Sequence, residues 1–311
     1  MITAHPTPSP FDRKLAQTLL AACTFVYCDT DDDGFIPGCL LLEAGPARPV
    51  VWRSVRKDAL DTVVVCLIRR ANASIIAFRG TESSVLDWLK NFKTVLTPFR
   101  IGSRLLPGAV HLGFLEELQQ IWEPLLEQVK SLDRTLPLYV TGHSQGGATA
   151  VLCTAALVAE GIPVAATYTF ATPRSGDPTF ATSLAQQNIH RVEFACDIVP
   201  HVPRELPTAV RNLISRQLSS QGLLGKILDR VSGQDTLSRQ LLQLLAKSEY
   251  ATYRPVGRLT WIDDSGTWHT ELAENDEQTL SASRLLQIVT AGRRLADHHR
   301  IASYEAVFQN T

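Results

Sequence analysis

A serine hydroxyl becomes a useful nucleophile only when a neighbouring base takes its proton and a third group orients that base, so serine, carboxylate and histidine are the residues to look for together. The stretch TGHSQGG, Thr141 to Gly147, places Ser144 between the apolar run PLYV and the helix-like run ATAVLCTAALVAE. That context predicts a buried strand turning abruptly into a buried helix. Such a turn strains the residue at its apex, and Gly142 and Gly146 remove side chains that would otherwise collide there. A phosphate loop is disfavoured, because the lysine of GxxxxGK[ST] is missing.

The search for the partners follows the chain order serine, acid, histidine. Asp197 follows the apolar run RVEFAC, at the C-terminal end of a predicted strand where sites of α/β proteins gather, and the prolines of IVPHVP stop regular structure just beyond it. The late histidines are His269, His298 and His299. His298 and His299 are expected just before a short C-terminal helix, where a loop can bring an imidazole to the top of the sheet. Adjacent side chains diverge and no HExxH spacing exists, so the pair does not suggest a metal site.

The elements that must position these residues are legible coarsely. Helices are expected at Phe11 to Tyr27, Phe114 to Leu132, Ala148 to Glu160, Asp177 to Gln187 and Ile301 to Phe308. Strands are expected at Thr62 to Ile68, Ser74 to Phe78, Pro137 to Val140, Ala165 to Phe170 and His190 to Cys196, with a pair around Arg258 to Trp268. Strands alternating with helices predict a mostly parallel sheet covered on both faces. No linker-like or low-complexity stretch interrupts the 311 residues, so a single domain over 1–311 is expected. A hydrophobic content of 45% supports a sizeable core, and a formal net charge of −1 offers no global field for nucleic acid.

The N-terminus reads two ways. LLAAC, Leu19 to Cys23, resembles a bacterial lipoprotein cleavage site, whereas FDRKLAQTLLAACTFVY also reads as an amphipathic first helix. No apolar run approaches the length of a bilayer span. The six cysteines have no CxxC spacing, which argues against a zinc ribbon, and Cys66 and Cys153 read as core residues.

With IIAFRGTES, DWLKNF, VHLGF, VTGHSQGGATA, TFATPRSGD with Phe180, RVEFACDIVPHVP and HRIASY all in order, the chain resembles the class 3 lipases, the fungal-lipase-like family of α/β hydrolases. The resemblance implies an α/β-hydrolase fold, with Ser144 as nucleophile, Asp197 as orienting acid and His299 as base. His299 is preferred to His298 because the family commonly places a tyrosine five positions after its histidine, as Tyr304 stands here. It also implies an oxyanion hole formed by the backbone N–H of Thr81, aided by its hydroxyl, and that of Gln145. His111 and His143 are read as structural hydrogen-bonding residues.

The implied reaction is hydrolysis of acylglycerol or related glycerolipid esters with no cofactor, in a cytoplasmic protein with contact to a membrane or lipid-droplet surface left open. A short-chain esterase and a noncatalytic lipid-binding scaffold are the alternatives. Two departures stand out. The family usually has leucine where this chain has Gln145, which should make the nearby surface more polar. The stretch 205–250 is predicted as short amphipathic helices forming a basic insertion after Asp197, either packed on the domain or in a dimer interface or serving as a lipid-adsorbing cap beside the site. Trp88 and Phe92 fall in the family's lid region.

Overall fold

The computed structural model describes residues 9–27, 50–57, 62–81, 95–202, 253–270, 272 and 294–309. The expected insertion at 205–250, together with Trp88 and Phe92, lies outside the described residues.

Strands that are buried on both faces need apolar side chains at successive positions, each face taking alternate residues. Strand β2 (Thr62–Arg69) and strand β3 (Ser74–Phe78) do this. Val65, Leu67, Ile76 and Phe78 enter one core, and Val64, Cys66, Ile68, Ile75 and Ala77 enter the other. Strand β1 (Val50–Lys57) pairs antiparallel with β2, which pairs antiparallel with β3. Then β3, β6 (Leu138–His143), β7 (Ala166–Phe170), β8 (Ile189–Phe194) and β9 (Arg258–Ile262) run parallel, and the two-residue β10 (Trp268–His269) closes the order β1-β2-β3-β6-β7-β8-β9-β10. A separate hairpin of β4 (Leu96–Ile101) and β5 (Arg104–His111) was not anticipated from the sequence.

Helices cover both faces, as expected for this α/β-hydrolase architecture. Helix α1 (Arg13–Tyr27) and the last helix, α6 (Ile301–Gln309), supply Leu19, Cys23, Val26, Tyr304 and Phe308 to one core. Cys23 is fully buried, with Sγ 3.2 Å from Thr141 Oγ1, which is the environment of an amphipathic first helix rather than of an exposed lipid-bearing cysteine. The opposite core takes the apolar stripe of α2 (Leu112–Lys130) and the almost wholly buried α3 (Gln145–Ala159). Helix α4 is only Pro178–Ser183, shorter than expected, with Asp177 capping it through Phe180 N–H at 2.7 Å. The stretch expected to be a loop before the final helix is itself helical: α5 (Arg294–His299) carries His298 and His299 in its last turn.

The C-terminal edge of the parallel strands is strained. Ser144, Ala171 and Ala195 immediately follow β6, β7 and β8 and have φ of 57°, 54° and 45°. Each still donates its N–H sideways, to Phe170, Val192 and Ile262 carbonyls respectively, so the parallel ladder extends one residue into the strained edge. Unusual backbone held in place by surrounding hydrogen bonds is what concentrates at functional sites.

Candidate active site

Ser144 joins β6 to α3 at φ 57°, ψ −130°, outside the regions ordinary residues favour. The turn closes because of its glycines. A Cβ at Gly142 would lie 2.1 Å from the Gly146 carbonyl oxygen, and one at Gly146 would lie 2.4 Å from the Phe78 carbonyl oxygen. No larger residue fits either position without moving backbone. Gly80 makes room on the other side, since a Cβ there would come within 3.2 Å of Ser144 Cβ. The segment Gly80–Thr81 therefore runs directly beside the nucleophile turn.

His299 reaches Ser144 from α5. Its Nε2 is 2.9 Å from Ser144 Oγ, and its Nδ1 is 3.0 and 3.1 Å from the two oxygens of Asp197. Asp197 is fully buried, and an ionised carboxylate only accepts, so the imidazole proton belongs on Nδ1. The Nε2 lone pair then faces the serine hydroxyl, the arrangement needed to remove its proton. The buried carboxylate is further compensated by Tyr304 Oη–H at 2.8 Å and Val199 N–H at 3.0 Å. Tyr304 Oη also accepts from Phe194 N–H at 3.1 Å, which ties the acid to the end of β8. Burial and the Asp197 charge hold the Tyr304 phenol far above its ordinary pKa, so it remains a donor.

His298 faces away. Its Nδ1 accepts from Cys196 N–H at 3.2 Å, and its Nε2 lies 3.6 Å from Asp264 Oδ1. It fastens α5 to the Asp197 turn while its neighbour turns inward. His269 pairs with Asp263 at 3.1 Å and stacks on Trp261, away from Ser144.

His143 and His111 both make structural hydrogen bonds. His111 Nδ1 accepts from Phe114 N–H at the start of α2. His143 Nε2 is 2.9 Å from the His299 carbonyl oxygen, and its Nδ1 is 3.0 Å from Tyr27 Oη, which in turn accepts from Gly80 N–H at 3.1 Å. A carbonyl oxygen only accepts, so His143 donates from Nε2, and its unprotonated Nδ1 accepts from the Tyr27 hydroxyl. Burial, reinforced by His299, pushes the His143 pKa down to about 3, which keeps this neutral tautomer at ordinary pH.

Thr81 and Gln145, the two residues expected to stabilise an oxyanion, are also in contact. Thr81 Oγ1 is 2.5 Å from Gln145 Oε1, and Gln145 Nε2 donates to Glu117 Oε1 on α2. The Gln145 side chain thus forms an internal bridge, and the residue is buried rather than adding a polar surface patch. Glu117, one of several acidic residues along α2, had no local signal marking it. Only the helix packing brings it to Gln145.

Residues 75–206 match the family model described as lipase (class 3). Over that stretch, which is less than half of its length, the chain is similar to the class 3 lipases. Among curated relatives, the chain is 37% identical to a lipase of Rhizomucor miehei over 190 residues, 57% of this chain and 50% of that protein. It is 35% identical to secreted mono- and diacylglycerol lipase 1 of Fusarium solani over 138 residues, 42% of this chain and 39% of that protein. The chain therefore spans half or less of the length of these relatives.

Among solved structures, the propeptide complex of a deletion mutant of Rhizomucor miehei lipase aligns over 85% of this chain and 71% of that one, with a TM-score of 0.57 and 22% identity. A triacylglycerol lipase whose catalytic centre is described as a serine protease triad aligns over 86% and 88%, with a TM-score of 0.55 and 21% identity. At those identities the structural likeness speaks to the fold. Three of the relatives are named as secreted, so the expected cytoplasmic location finds no support. Among the described residues no helix is long and apolar enough to cross a membrane.

Proposed function

We propose that this protein is a serine hydrolase of the class 3 lipase kind that cleaves carboxylic esters of acylglycerols through an acyl-enzyme. The observation that carries the proposal is the single imidazole of His299 spanning Ser144 Oγ and the buried Asp197 carboxylate. In this reading Ser144 attacks the ester carbonyl as its proton passes to His299 Nε2. Asp197 steadies the imidazolium that forms, and Tyr304 keeps that carboxylate in place. The negative charge on the tetrahedral oxygen is met by the backbone N–H groups of Thr81 and Gln145, the latter at the N-terminus of α3 where the helix dipole also favours an anion. The alcohol leaves with the proton held by His299. Water, deprotonated by the same imidazole, then attacks the acyl-enzyme and releases the acid.

Acylglycerols are favoured over small esters by the mono- and diacylglycerol lipases among the relatives. The same relatives, named as secreted, support a protein that works outside the cell. The eight described strands that share one sheet support a single hydrolase domain. The test is a hydrolysis panel at equal ester concentration. It spans a soluble p-nitrophenyl butyrate, emulsified tri- and diacylglycerol, monoacylglycerol, phospholipid and galactolipid. Faster turnover of emulsified acylglycerol than of the soluble ester is expected. Turnover of the soluble ester alone would make the protein a short-chain esterase.

A further inference from the structure

Both carboxyl oxygens of Glu117 accept hydrogen bonds, and this fixes the polarity of the bridge behind the nucleophile. Its Oε2 receives the Thr149 hydroxyl at 2.8 Å, and its Oε1 receives Gln145 Nε2. The Gln145 amide must present its NH₂ to that carboxylate, so its Oε1 faces Thr81. An amide oxygen is an acceptor. Thr81 must therefore donate its only hydroxyl proton to Gln145, across 2.5 Å. A hydroxyl whose proton is committed in this way has lone pairs left to offer, and lone pairs repel an oxyanion rather than stabilise it.

From this polarity we infer that the Thr81 side chain is a positioning group held by Gln145, that the oxyanion is met by backbone N–H groups, and that Gln145 and Glu117 set the place of the Thr81 peptide. The inference rests on the reading of the protein as a serine hydrolase. It departs from the expectation that the Thr81 hydroxyl aids as a donor. The device depends on glutamine after Ser144, because a leucine there could neither accept from Thr81 nor donate to Glu117.

The arrangement also couples three elements. Glu117 belongs to α2, Gln145 begins α3, and Thr81 follows β3. The Thr81 peptide is therefore anchored to the same helix N-terminus that supplies the second backbone donor. A fixed separation between two donors is what a preorganised oxyanion site requires.

The test is a double-mutant cycle with Thr81→Val and Gln145→Leu, measured on a soluble p-nitrophenyl ester and, separately, by thermal unfolding. If Thr81 acts through Gln145, each single substitution lowers kcat by roughly tenfold with KM little changed, the double variant loses no more than either single, and Thr81→Ser restores the wild-type rate. The unfolding midpoints are then non-additive in the same sense. A Thr81→Val loss of roughly 10²–10³-fold that adds in full to that of Gln145→Leu would overturn the inference, since that is what removing a direct oxyanion donor costs. Should Gln145→Leu fail to fold, the cycle is run with Glu117→Gln, which removes the acceptor-only group that sets the polarity. Absence of ester hydrolysis in the wild-type protein would count against the proposed function instead, while the unfolding cycle would still decide whether Thr81 and Gln145 are coupled.

Discussion

The ring of His143 donates from Nε2 to the backbone carbonyl of His299 across 2.9 Å, so the residue preceding Ser144 holds the peptide of the residue whose ring touches Ser144. The contact continues through Tyr27 to Gly80 N–H, on the segment that carries Thr81. A single neutral imidazole thus links the nucleophile turn, the base-bearing helix and the segment expected to meet the oxyanion. His143→Leu removes both ring hydrogen bonds and is expected to lower stability by about 2–3 kcal/mol. Turnover should fall at least tenfold, as Ser144 and His299 lose their alignment. Denaturant unfolding and steady-state kinetics on the same preparation check both effects.

The same residue makes stability depend on acid. Its pKa is lowered in the folded protein from 6.5 to about 3, chiefly by burial, so below pH 6.5 the unfolded chain takes up a proton that the folded chain refuses. The contribution is intact above 6.5 and is lost as pH falls toward 3, at up to about 1.4 kcal/mol per pH unit. Urea unfolding between pH 7 and pH 4 should give a slope smaller by about one proton in His143→Gln than in the wild type. An identical slope would show that His143 titrates normally in the folded state.

His298 and His299 should be unequal. His299→Ala is expected to reduce ester hydrolysis by roughly 10⁴-fold or more, whereas His298→Ala loses the acceptor for Cys196 N–H and the contacts with Asp264 and Phe194, none of which touches Ser144, and should keep a substantial fraction of activity. The reverse ranking would move the base to His298.

The placement of these two histidines also marks where sequence reasoning runs out. Ser144 and Asp197 sit at strand ends, where a short apolar run, a glycine pattern or a proline stop can be read locally. Apart from the family's tyrosine spacing, which singles out His299, adjacent histidines carry no such local signal. What separates them is helical phase and the reach of one backbone N–H at Cys196, both tertiary facts, and the stretch before Ile301 reads as a loop where α5 begins at Arg294. Most parallel strands were legible because two-sided burial writes continuous apolar runs. Strand β1, with Trp52, Arg53, Ser54 and Arg56 among its residues, and the hairpin β4–β5, with Pro98 and Gly108 inside it, lack that signature. Glu117 was illegible for the same reason as the histidines.

Tyr304→Phe tests the support of the acid. It removes the donor to Asp197 Oδ2 and the acceptor for Phe194 N–H while keeping the ring, which packs edge-on against Phe170. A loss of about 1–3 kcal/mol in unfolding free energy is expected. The kcat should fall far less than in His299→Ala, with KM nearly unchanged.

Gly146→Ala tests the turn itself. The new Cβ would sit 2.4 Å from the Phe78 carbonyl oxygen, a clash with backbone that no rotamer relieves. Loss of activity with a lowered melting temperature is expected, and a variant with wild-type melting and turnover would contradict the close approach of α3 to β3.

The central claim is that Ser144, made nucleophilic by His299, carries the acyl group. A fluorophosphonate probe followed by peptide mass spectrometry tests it most directly. The account predicts one adduct, on the peptide containing Ser144, that disappears in Ser144→Ala together with ester hydrolysis. An adduct on another serine, or hydrolysis that survives Ser144→Ala, would contradict it.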